Sequence, residues 1–336
     1  MTEWWRDRPK PDRRILDDVV RVLQDGRSPK LFAKRRLIAS DARRHGDVDI
    51  ALDFFRVLLS DQISVLGEDH PDTLATRHDI AFCVGECGNA VEAAGLLRAL
   101  LSDRVRILGE DHQDVLTTQE DVAYWVAESG DDSEALLLYL TLQRDQVRLL
   151  GADHADTLTT RFNIVTAIHA VGNVRKALGA AEALVPDQTR VLGTEHPETL
   201  ITRNAVARWT RECGDVRQAL KLFEDLLPDL TGSLGPDHPE ILSTRCNIAV
   251  CIAESGASAE GLRLLETLLP ELTRKLGEDH PETLATRINV ASWTFNCGDT
   301  RRAFQIYRAL KPDLMRVLGN EHPLTMKTSA MVDRLS

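Results

Sequence analysis

The sequence predicts an all-α fold in which pairs of helices stack into a right-handed superhelical solenoid. A twelve-residue string that begins at Leu66, LGEDHPDTLATR, returns almost unchanged at Leu276. Related strings stand between these two copies and after them, always 42 residues apart and without an insertion. Inside each copy, apolar residues recur at helical spacing. A period of about 20–50 residues is typical of repeats whose units cannot bury their apolar faces alone and must stack.

Histidine and glycine mark this period most clearly. The histidines are His70, His112, His154, His196, His238, His280 and His322. The glycines are Gly46, Gly88, Gly130, Gly172, Gly214, Gly256 and Gly298. Equivalent helices of a stack lie about 16–20 Å apart, at two interaxial distances. Because metal–nitrogen bonds are about 2 Å long, neighbouring histidines cannot share an ion. The sequence therefore predicts a structural role in the turn for these histidines, and no metal.

Each repeat predicts two antiparallel helices, as the unit from His70 to Asp111 illustrates. Pro71 suits the first helical position, where its missing N–H is no loss. Gly88 ends this helix, because glycine tolerates the left-handed conformation of a helix C-terminus. A second helix is predicted from about Ala90 to Ile107. The predicted inward residues are Leu74, Ile80, Ala81 and Val84 in the first helix, and Ala93, Leu96, Leu97, Leu100 and Leu101 in the second.

The repeat register also predicts the boundaries of the chain's parts. Residues 1–28 are expected to form an N-terminal capping helix, over Asp12 to Leu23, and a basic segment. Residues 29–320 are expected to form seven 42-residue repeats in one continuous array. Residues 321–336 are expected to form a C-terminal capping helix whose polar residues solvate the last apolar face.

Charge and hydropathy exclude several classes of partner. The net charge is −11, although residues 1–46 carry 13 Lys and Arg against 7 Asp and Glu. An acidic array repels a phosphate backbone, so we expect no nucleic-acid partner. The opening MTEWWRDRPKPDRR lacks the apolar core of a signal peptide, and no stretch nears the roughly 18 apolar residues of a membrane helix. We therefore expect no membrane association and a cytoplasmic location.

Cysteine and tryptophan follow the repeat register too. Five of the six cysteines share repeat positions, namely Cys83 with Cys251, and Cys87 with Cys213 and Cys297. Trp125, Trp209 and Trp293 share another position in alternate repeats. We expect the cysteines to be buried apolar filler and the tryptophans to pack in the core. A redox role for the cysteines and a ligand platform for the tryptophans are the alternatives.

These residues resemble tetratricopeptide repeats of the 42-residue kind found in kinesin light chains and in many bacterial proteins. There, a turn like LGxDHP opens the first helix, and Gly-Asp or Gly-Asn joins it to the second. The small residue near the start of the second helix corresponds to Ala51, Ala93, Ala135, Ala177, Ala219 and Ala303, with Gly261 departing. The small residue within the first helix corresponds to Ala39, Ala81, Ala123, Ala207, Ala249 and Ala291, with Val165 departing. The excess of Arg over Lys is typical of a GC-rich bacterial source.

The resemblance implies a concave groove lined by the first helix of each repeat. The residues that it places in a peptide-binding groove are Asn163, His169, Asn204, Arg208, Arg211, Asn247 and Asn289, and it places a secondary basic patch at Arg36, Arg43 and Arg44. An asparagine amide donates and accepts at once, which suits a peptide bond, although it is also an ordinary polar surface residue. Arg208 and Arg211 are three residues apart, so both can reach one carboxylate, or each can pair with Glu212 or a neighbouring acid.

The motifs of common enzymes do not occur in the sequence. There is no P-loop, G-x-G-x-x-G, H-E-x-x-H, C-x-x-C or G-x-S-x-G string. The sequence thus predicts a non-enzymatic interaction scaffold, without a cofactor, that binds an extended peptide or a partner helix in its groove. The alternatives are a sensor or regulatory subunit that responds to a peptide or metabolite, and a divergent enzyme or an enzyme's accessory protein.

Overall fold

The computed structural model describes residues 29–235 and 238–335, and over these residues it contains fifteen α-helices and no β-strand. This confirms the all-α prediction. The helices are α1 (Pro29–Arg44), α2 (Val48–Leu66), α3 (Pro71–Glu86), α4 (Ala90–Leu108), α5 (Gln113–Glu128), α6 (Asp132–Leu149), α7 (Ala155–Ala170), α8 (Val174–Val191), α9 (Pro197–Glu212), α10 (Val216–Leu234), α11 (Pro239–Glu254), α12 (Ser258–Leu276), α13 (Pro281–Asn296), α14 (Thr300–Val317) and α15 (Pro323–Leu335). The predicted capping helix over Asp12 to Leu23 lies outside the described residues.

The chain divides into two compact units, and each is described by itself. Residues 29–172, with helices α1–α7, form the described part of the first unit. Residues 173–335, with helices α8–α15, form the described part of the second unit. We call the odd-numbered helices A helices and the even-numbered helices B helices, following their order in the repeat.

An ion pair between an arginine and an acid recurs at the same spacing in several repeats, and it shows the direction of the two helices in a pair. In the first unit, Arg35 near the start of α1 binds Asp61 near the end of α2 at 2.8 Å. The same bridge joins Arg77 to Asp103 at 2.8 Å. In the second unit the equivalent pairs are Arg203 with Asp229, Arg245 with Glu271, and Arg287 with Asp313. Since the start of each A helix meets the end of its B helix, the two helices run antiparallel.

Two rows of small residues lie where helices approach most closely. The alanines of both rows, including Ala51 and Ala81, have no exposed surface, as the resemblance implies. At Gly261, a Cβ atom would lie 2.5 Å from the Ala253 Cβ and 2.6 Å from the Ala249 carbonyl oxygen. These distances are too short for any side chain, so the glycine permits a closer helix contact than alanine would.

Every turn histidine caps the A helix that follows it. The His70 Nδ1 accepts a hydrogen bond from the backbone N–H of Asp72 at 3.1 Å, which satisfies one of the free donors at the helix start. The same bond recurs at His112, His154, His196, His238, His280 and His322. Just before, Gly67 ends α2 with a φ of +91°. The predicted structural role in the turn is confirmed, whereas the capping bond itself was not predicted.

Part of the predicted core assignment is wrong. Leu96 is 39% exposed, because α4 buries Ala94 beside Ala93 instead. Cys87 and Cys297 are exposed, since each caps the end of its A helix beyond the core. Cys83, Cys246 and Cys251 are buried as predicted, and burial raises the pKa of Cys83 to about 12. The tryptophan prediction holds, because Trp125 and Trp209 are buried and Trp293 packs against a buried cluster.

One buried position of the B helices changes its chemistry along the chain. In α2, α4, α6 and α8 this position is polar, with Gln62, Arg104, Gln146 and Gln188. In α10, α12 and α14 the same position is Leu230, Leu272 and Leu314. The Oε1 atoms of Gln62 and Gln146 have no hydrogen-bond partner among the described residues. The repeat therefore accepts either a polar or an apolar side chain at one core position.

Candidate functional site

The groove predicted from the resemblance consists of five positions on each A helix. In α3 these positions are occupied by His78, Asp79, Phe82, Gly85 and Glu86. We call this set, together with its equivalents 42 residues apart in the other A helices, the A face. It holds all the site residues that the sequence predicts.

In the first unit, polar residues of the A face pair between successive A helices. Arg36 on α1 donates two hydrogen bonds to the carboxylate of Asp79 on α3. The His78 Nε2 on α3 lies 2.7 Å from the Asp121 Oδ2 on α5. One repeat further, the Asn163 Nδ2 donates to the Glu120 Oε1 at 3.4 Å. Each of these pairs spans 43 residues, so they are equivalent cross-helix bridges.

The first two bridges form a charged network that is largely buried. Asp79 is only 7% exposed and lies between Arg36 and His78. Burial acts to raise the Asp79 pKa, but His78 and Arg36 outweigh it and hold this pKa below its ordinary value. Burial acts to lower the His78 pKa, but Asp121 and Asp79 outweigh it and raise this pKa. Both residues are thereby stabilised in their charged forms.

Aromatic rings continue this face beside the network. Phe82 lies 4.8 Å from the His78 ring and 5.7 Å from the Trp125 ring, and Tyr124 lies 5.0 Å from Trp125. A Cβ atom at Gly85 would lie 2.3 Å from the Trp125 ring. The glycine is therefore required by the indole, which packs directly against the α3 backbone.

The arginines of the predicted secondary patch all have acidic partners. Arg36 binds Asp79, as described above. The Arg43 Nε lies 3.3 Å from the Glu86 Oε2, and its guanidinium carbon lies 5.4 Å from the centre of the Phe82 ring. Arg44 pairs with Asp41 at 3.1 Å. These bridges neutralise much of the patch, so Arg36 and Arg43 stabilise the repeat stack.

In the second unit, the two predicted arginines differ. The Arg211 Nη1 lies 3.1 Å from the Glu254 Oε1, on the next A helix. This is the alternative in which an arginine pairs with a neighbouring acid, and the acid is 43 residues away. Arg208 is exposed, and the residues that the structure describes offer it no ion pair. The second unit therefore holds one structural arginine and one accessible arginine.

The predicted asparagines and His169 have separate environments. Asn204 donates to the Glu240 Oε2 at 3.3 Å, and its Oδ1 has no partner among the residues that the structure describes. Asn247 and Asn289 are half-buried and make no side-chain hydrogen bond within the described part of the chain. His169 is half-buried on α7 and belongs to the first unit, whereas Arg208 and Arg211 belong to the second.

The cross-helix bridges are the feature that sequence reasoning missed. Their signal is present in the sequence, because Arg36 with Asp79, Arg43 with Glu86, and Arg211 with Glu254 all share one spacing. A comparison of positions 42 residues apart does not find these pairs. The acid lies one residue beyond the position that is equivalent to its arginine in the next repeat.

Residues 29–235 and 238–335 contain neither a candidate metal centre nor a candidate membrane-spanning helix. No group of three His, Cys, Asp or Glu side chains there is arranged to hold a metal ion. No helix of this part is both long and apolar enough to cross a membrane. Shallow depressions lie over the turns, one of them lined by residues 108–112.

Comparison with known proteins agrees with the repeat geometry. The sequence profile of the tetratricopeptide repeat matches residues 73–114 and 199–240. Among solved structures, the nearly identical repeats of a putative kinesin light chain from Podosopora anserina are 24% identical, with a TM-score of 0.53. That match covers 61% of this chain and 98% of that one. The two matched segments are similar to tetratricopeptide repeats, and the other helix pairs follow the same 42-residue spacing.

Two further solved structures share this tetratricopeptide-repeat fold over most of the chain. The apo form of RapI is 12% identical, with a TM-score of 0.65, and the match covers 90% of this chain and 99% of RapI. A Rap protein complexed with Competence and Sporulation Factor is 8% identical, with a TM-score of 0.52, and the match covers 91% and 97% of the two chains. No curated protein sequence matches the chain.

Proposed function

We propose that this tetratricopeptide-repeat chain is a non-enzymatic interaction scaffold that binds an extended peptide or a partner helix along its A face. One observation carries the proposal: the A face of the second unit presents polar groups that have no partner among the residues that the structure describes. They are the guanidinium of Arg208 and the amides of Asn247 and Asn289. A predicted cytoplasmic location and a predicted lack of nucleic-acid binding accompany this proposal.

The asparagines suit the backbone of an extended segment. Asn247 and Asn289 occupy equivalent positions on successive A helices, α11 and α13. Each amide can donate to a peptide carbonyl and accept from a peptide N–H at the same time. Two such groups in register bind a main chain without regard to its side chains, which gives affinity but little specificity.

Arg208 supplies the specificity that the amides lack. Its exposed guanidinium can donate two parallel hydrogen bonds to one carboxylate. Arg211, one turn away, already pairs with Glu254. The ligand is therefore expected to carry an acidic side chain or a C-terminal carboxylate near α9.

Selection from a random twelve-residue peptide library displayed on phage tests the proposal. The intact chain is expected to enrich acidic sequences. The same selection on a chain carrying Asn247→Ala with Asn289→Ala is expected to lose most of that enrichment. Equal enrichment by both chains, with unchanged helical content, would show that the peptides bind elsewhere.

A further inference from the structure

The first unit contains a complete arginine site formed by its own side chains. The Arg43 guanidinium from α1 lies over the Phe82 ring of α3, 5.4 Å from its centre. The same arginine lies 3.3 Å from the Glu86 carboxylate, one turn further along α3. A cation over an aromatic face and beside a carboxylate is attracted by both.

One repeat further, the ring and the acid of this site recur without the arginine. The residues 42 positions after Phe82 and Glu86 are Tyr124 and Glu128 on α5. The residue 42 positions after Arg43 is Gly85. Tyr124 is 44% exposed, and Glu128 is exposed without an ion pair in the described part of the chain. The aromatic ring and the carboxylate of an arginine site are therefore present here, without the arginine.

A lysine or arginine at position 85 does not fit in place of the glycine. Its Cβ direction is filled by the Trp125 ring, which lies 2.3 Å from where that atom would be. No side chain from α3 can therefore reach over Tyr124 from this position. Position 85 therefore leaves the place over the Tyr124 ring open to a cation from a ligand.

Two acids act on the Tyr124 ring. Burial is the largest cause of the raised pKa of Tyr124, and the charges of Glu128 and Glu86 raise it further. The Glu86 charge is compensated by Arg43, whereas the Glu128 charge is not. The field at the ring therefore favours a cation.

We propose that Tyr124 and Glu128 bind an arginine side chain of a protein partner. The proposal rests on the proposed function and names the chemistry of one residue of the ligand. Arginine is favoured over lysine, because its planar guanidinium can lie over a ring while pairing with a carboxylate, as Arg43 does with Phe82 and Glu86. The site lies wholly within the first unit, on α3 and α5.

Titration with N-acetyl-arginine amide, observed by NMR, tests this site without knowledge of the partner. The reporter is the indole N–H of Trp125, assigned with a Trp125→Phe variant, because this ring contacts Tyr124 at 5.0 Å. We expect a saturable shift in the millimolar range. N-acetyl-citrulline amide, which is neutral and nearly the same shape, is expected to cause no saturable shift, and N-acetyl-lysine amide a weaker one.

Single substitutions in the folded chain locate the site. Glu128→Gln and Tyr124→Leu are each expected to weaken binding of the arginine amide about fivefold, the scale of an exposed cation–π contact or ion pair. Glu110→Gln removes the same charge from a turn, and it is expected to change the affinity less than twofold. Helical content is checked for each variant by circular dichroism.

The inference is overturned by an equal response to the citrulline amide, or by undiminished affinity in Glu128→Gln. Its failure can be told apart from that of the proposed function. If the arginine amide does not bind but the chain still enriches peptides in an asparagine-dependent manner, only this site is wrong. If the amide binds but no peptide is enriched, the site stands and the scaffold function is wrong.

Discussion

The two units use the same helix pair but satisfy their A-face polar groups differently. In the first unit, Arg36 binds Asp79 and His78 binds Asp121, so most charges are paired within the chain. In the second unit, Arg208, Asn247 and Asn289 have no such partner among the described residues. The position of a residue in the repeat therefore does not decide its role. A polar group with an internal partner holds the repeats together, and one without a partner is available to a ligand.

A second contrast lies in the interior, where one buried position of the B helices is polar in some repeats and leucine in others. The B helices α2, α4, α6 and α8 bury Gln62, Arg104, Gln146 and Gln188 at the position where α10, α12 and α14 bury leucine. A buried amide oxygen without a partner costs about 1–3 kcal/mol, whereas a buried leucine contributes about 1.5–3 kcal/mol. We therefore expect the leucine-containing repeats to be intrinsically more stable than their glutamine-containing counterparts.

Exchanging these residues should have the largest effect. Leu272→Gln is expected to reduce the free energy of unfolding by about 3 kcal/mol, because it removes a buried apolar side chain and buries an amide. The reciprocal Gln146→Leu is expected to increase it by about 1 kcal/mol, because the amide oxygen has no partner to lose. Urea unfolding followed by circular dichroism measures both.

Leu269→Gln in the neighbouring, partly buried position of α12 is the matched control, and its cost should be smaller. A destabilising Gln146→Leu would contradict the account, since it would mean that the buried amides are fully satisfied.

Breaking a cross-helix bridge should cost more in the first unit than in the second. Asp79→Asn is expected to lower stability at pH 7 by about 2 kcal/mol, because Arg36 and His78 lose a buried partner. Glu254→Gln, at a more exposed bridge, should cost less than about 1 kcal/mol. Chemical unfolding of the two variants beside the parent chain gives the comparison.

The stability that the Asp79 bridge contributes should depend on pH in a direction that can be predicted. The folded-state pKa of Asp79 is lowered, so its pair stabilises the chain above the unfolded-state pKa and is lost as pH falls through the folded-state pKa. The difference between the parent and Asp79→Asn should therefore shrink toward acid. A difference that grows toward acid would mean that Asp79 is neutral in the folded chain.

Two glycines test whether close packing, and not backbone conformation, requires them. Gly85→Ala and Gly261→Ala should each cost about 1–2 kcal/mol, because the new Cβ overlaps Trp125 in one case and Ala253 in the other. Gly95→Ala in α4 meets no atom within 4 Å, and it should stabilise the helix by about 0.5–1 kcal/mol. Thermal unfolding distinguishes them, and equal effects at all three positions would remove the packing argument.

The capping histidines should show a small effect on stability. His154→Gln is expected to cost about 1 kcal/mol, because glutamine is a poor helix cap, whereas His154→Asn should cost much less. Melting temperatures of the two variants test this. If glutamine and asparagine prove equivalent, the bond to the Asp156 N–H contributes nothing.

Most of the fold was predictable because the residues that begin and end a helix lie next to it in the sequence. Pro71 and Gly88 bracket α3 in the sequence as they do in the structure. The burial of Leu96 was predicted wrongly, because helical spacing alone does not say whether Ala94 or Leu96 faces the next helix. That choice depends on the angle at which neighbouring helices pack, which no single repeat specifies.

The candidate site was less predictable, because it depends on contacts between repeats. The resemblance identified Arg208 and Arg211 as equals, and only the contact with Glu254 separates them. The arginine site at Tyr124 was not predicted at all. It follows from comparing Arg43 with Gly85, and that comparison requires the observed stacking on Phe82.

We expect the A-face groups without an internal partner to be the ones that bind a ligand. Calorimetry of one selected acidic peptide with Arg208→Gln and Arg211→Gln tests it most directly. We predict that Arg208→Gln weakens binding by about 1.5–3 kcal/mol with unchanged stability, and that Arg211→Gln weakens stability more than binding. Unchanged affinity in Arg208→Gln, or an equal loss of affinity in both variants, would contradict the account.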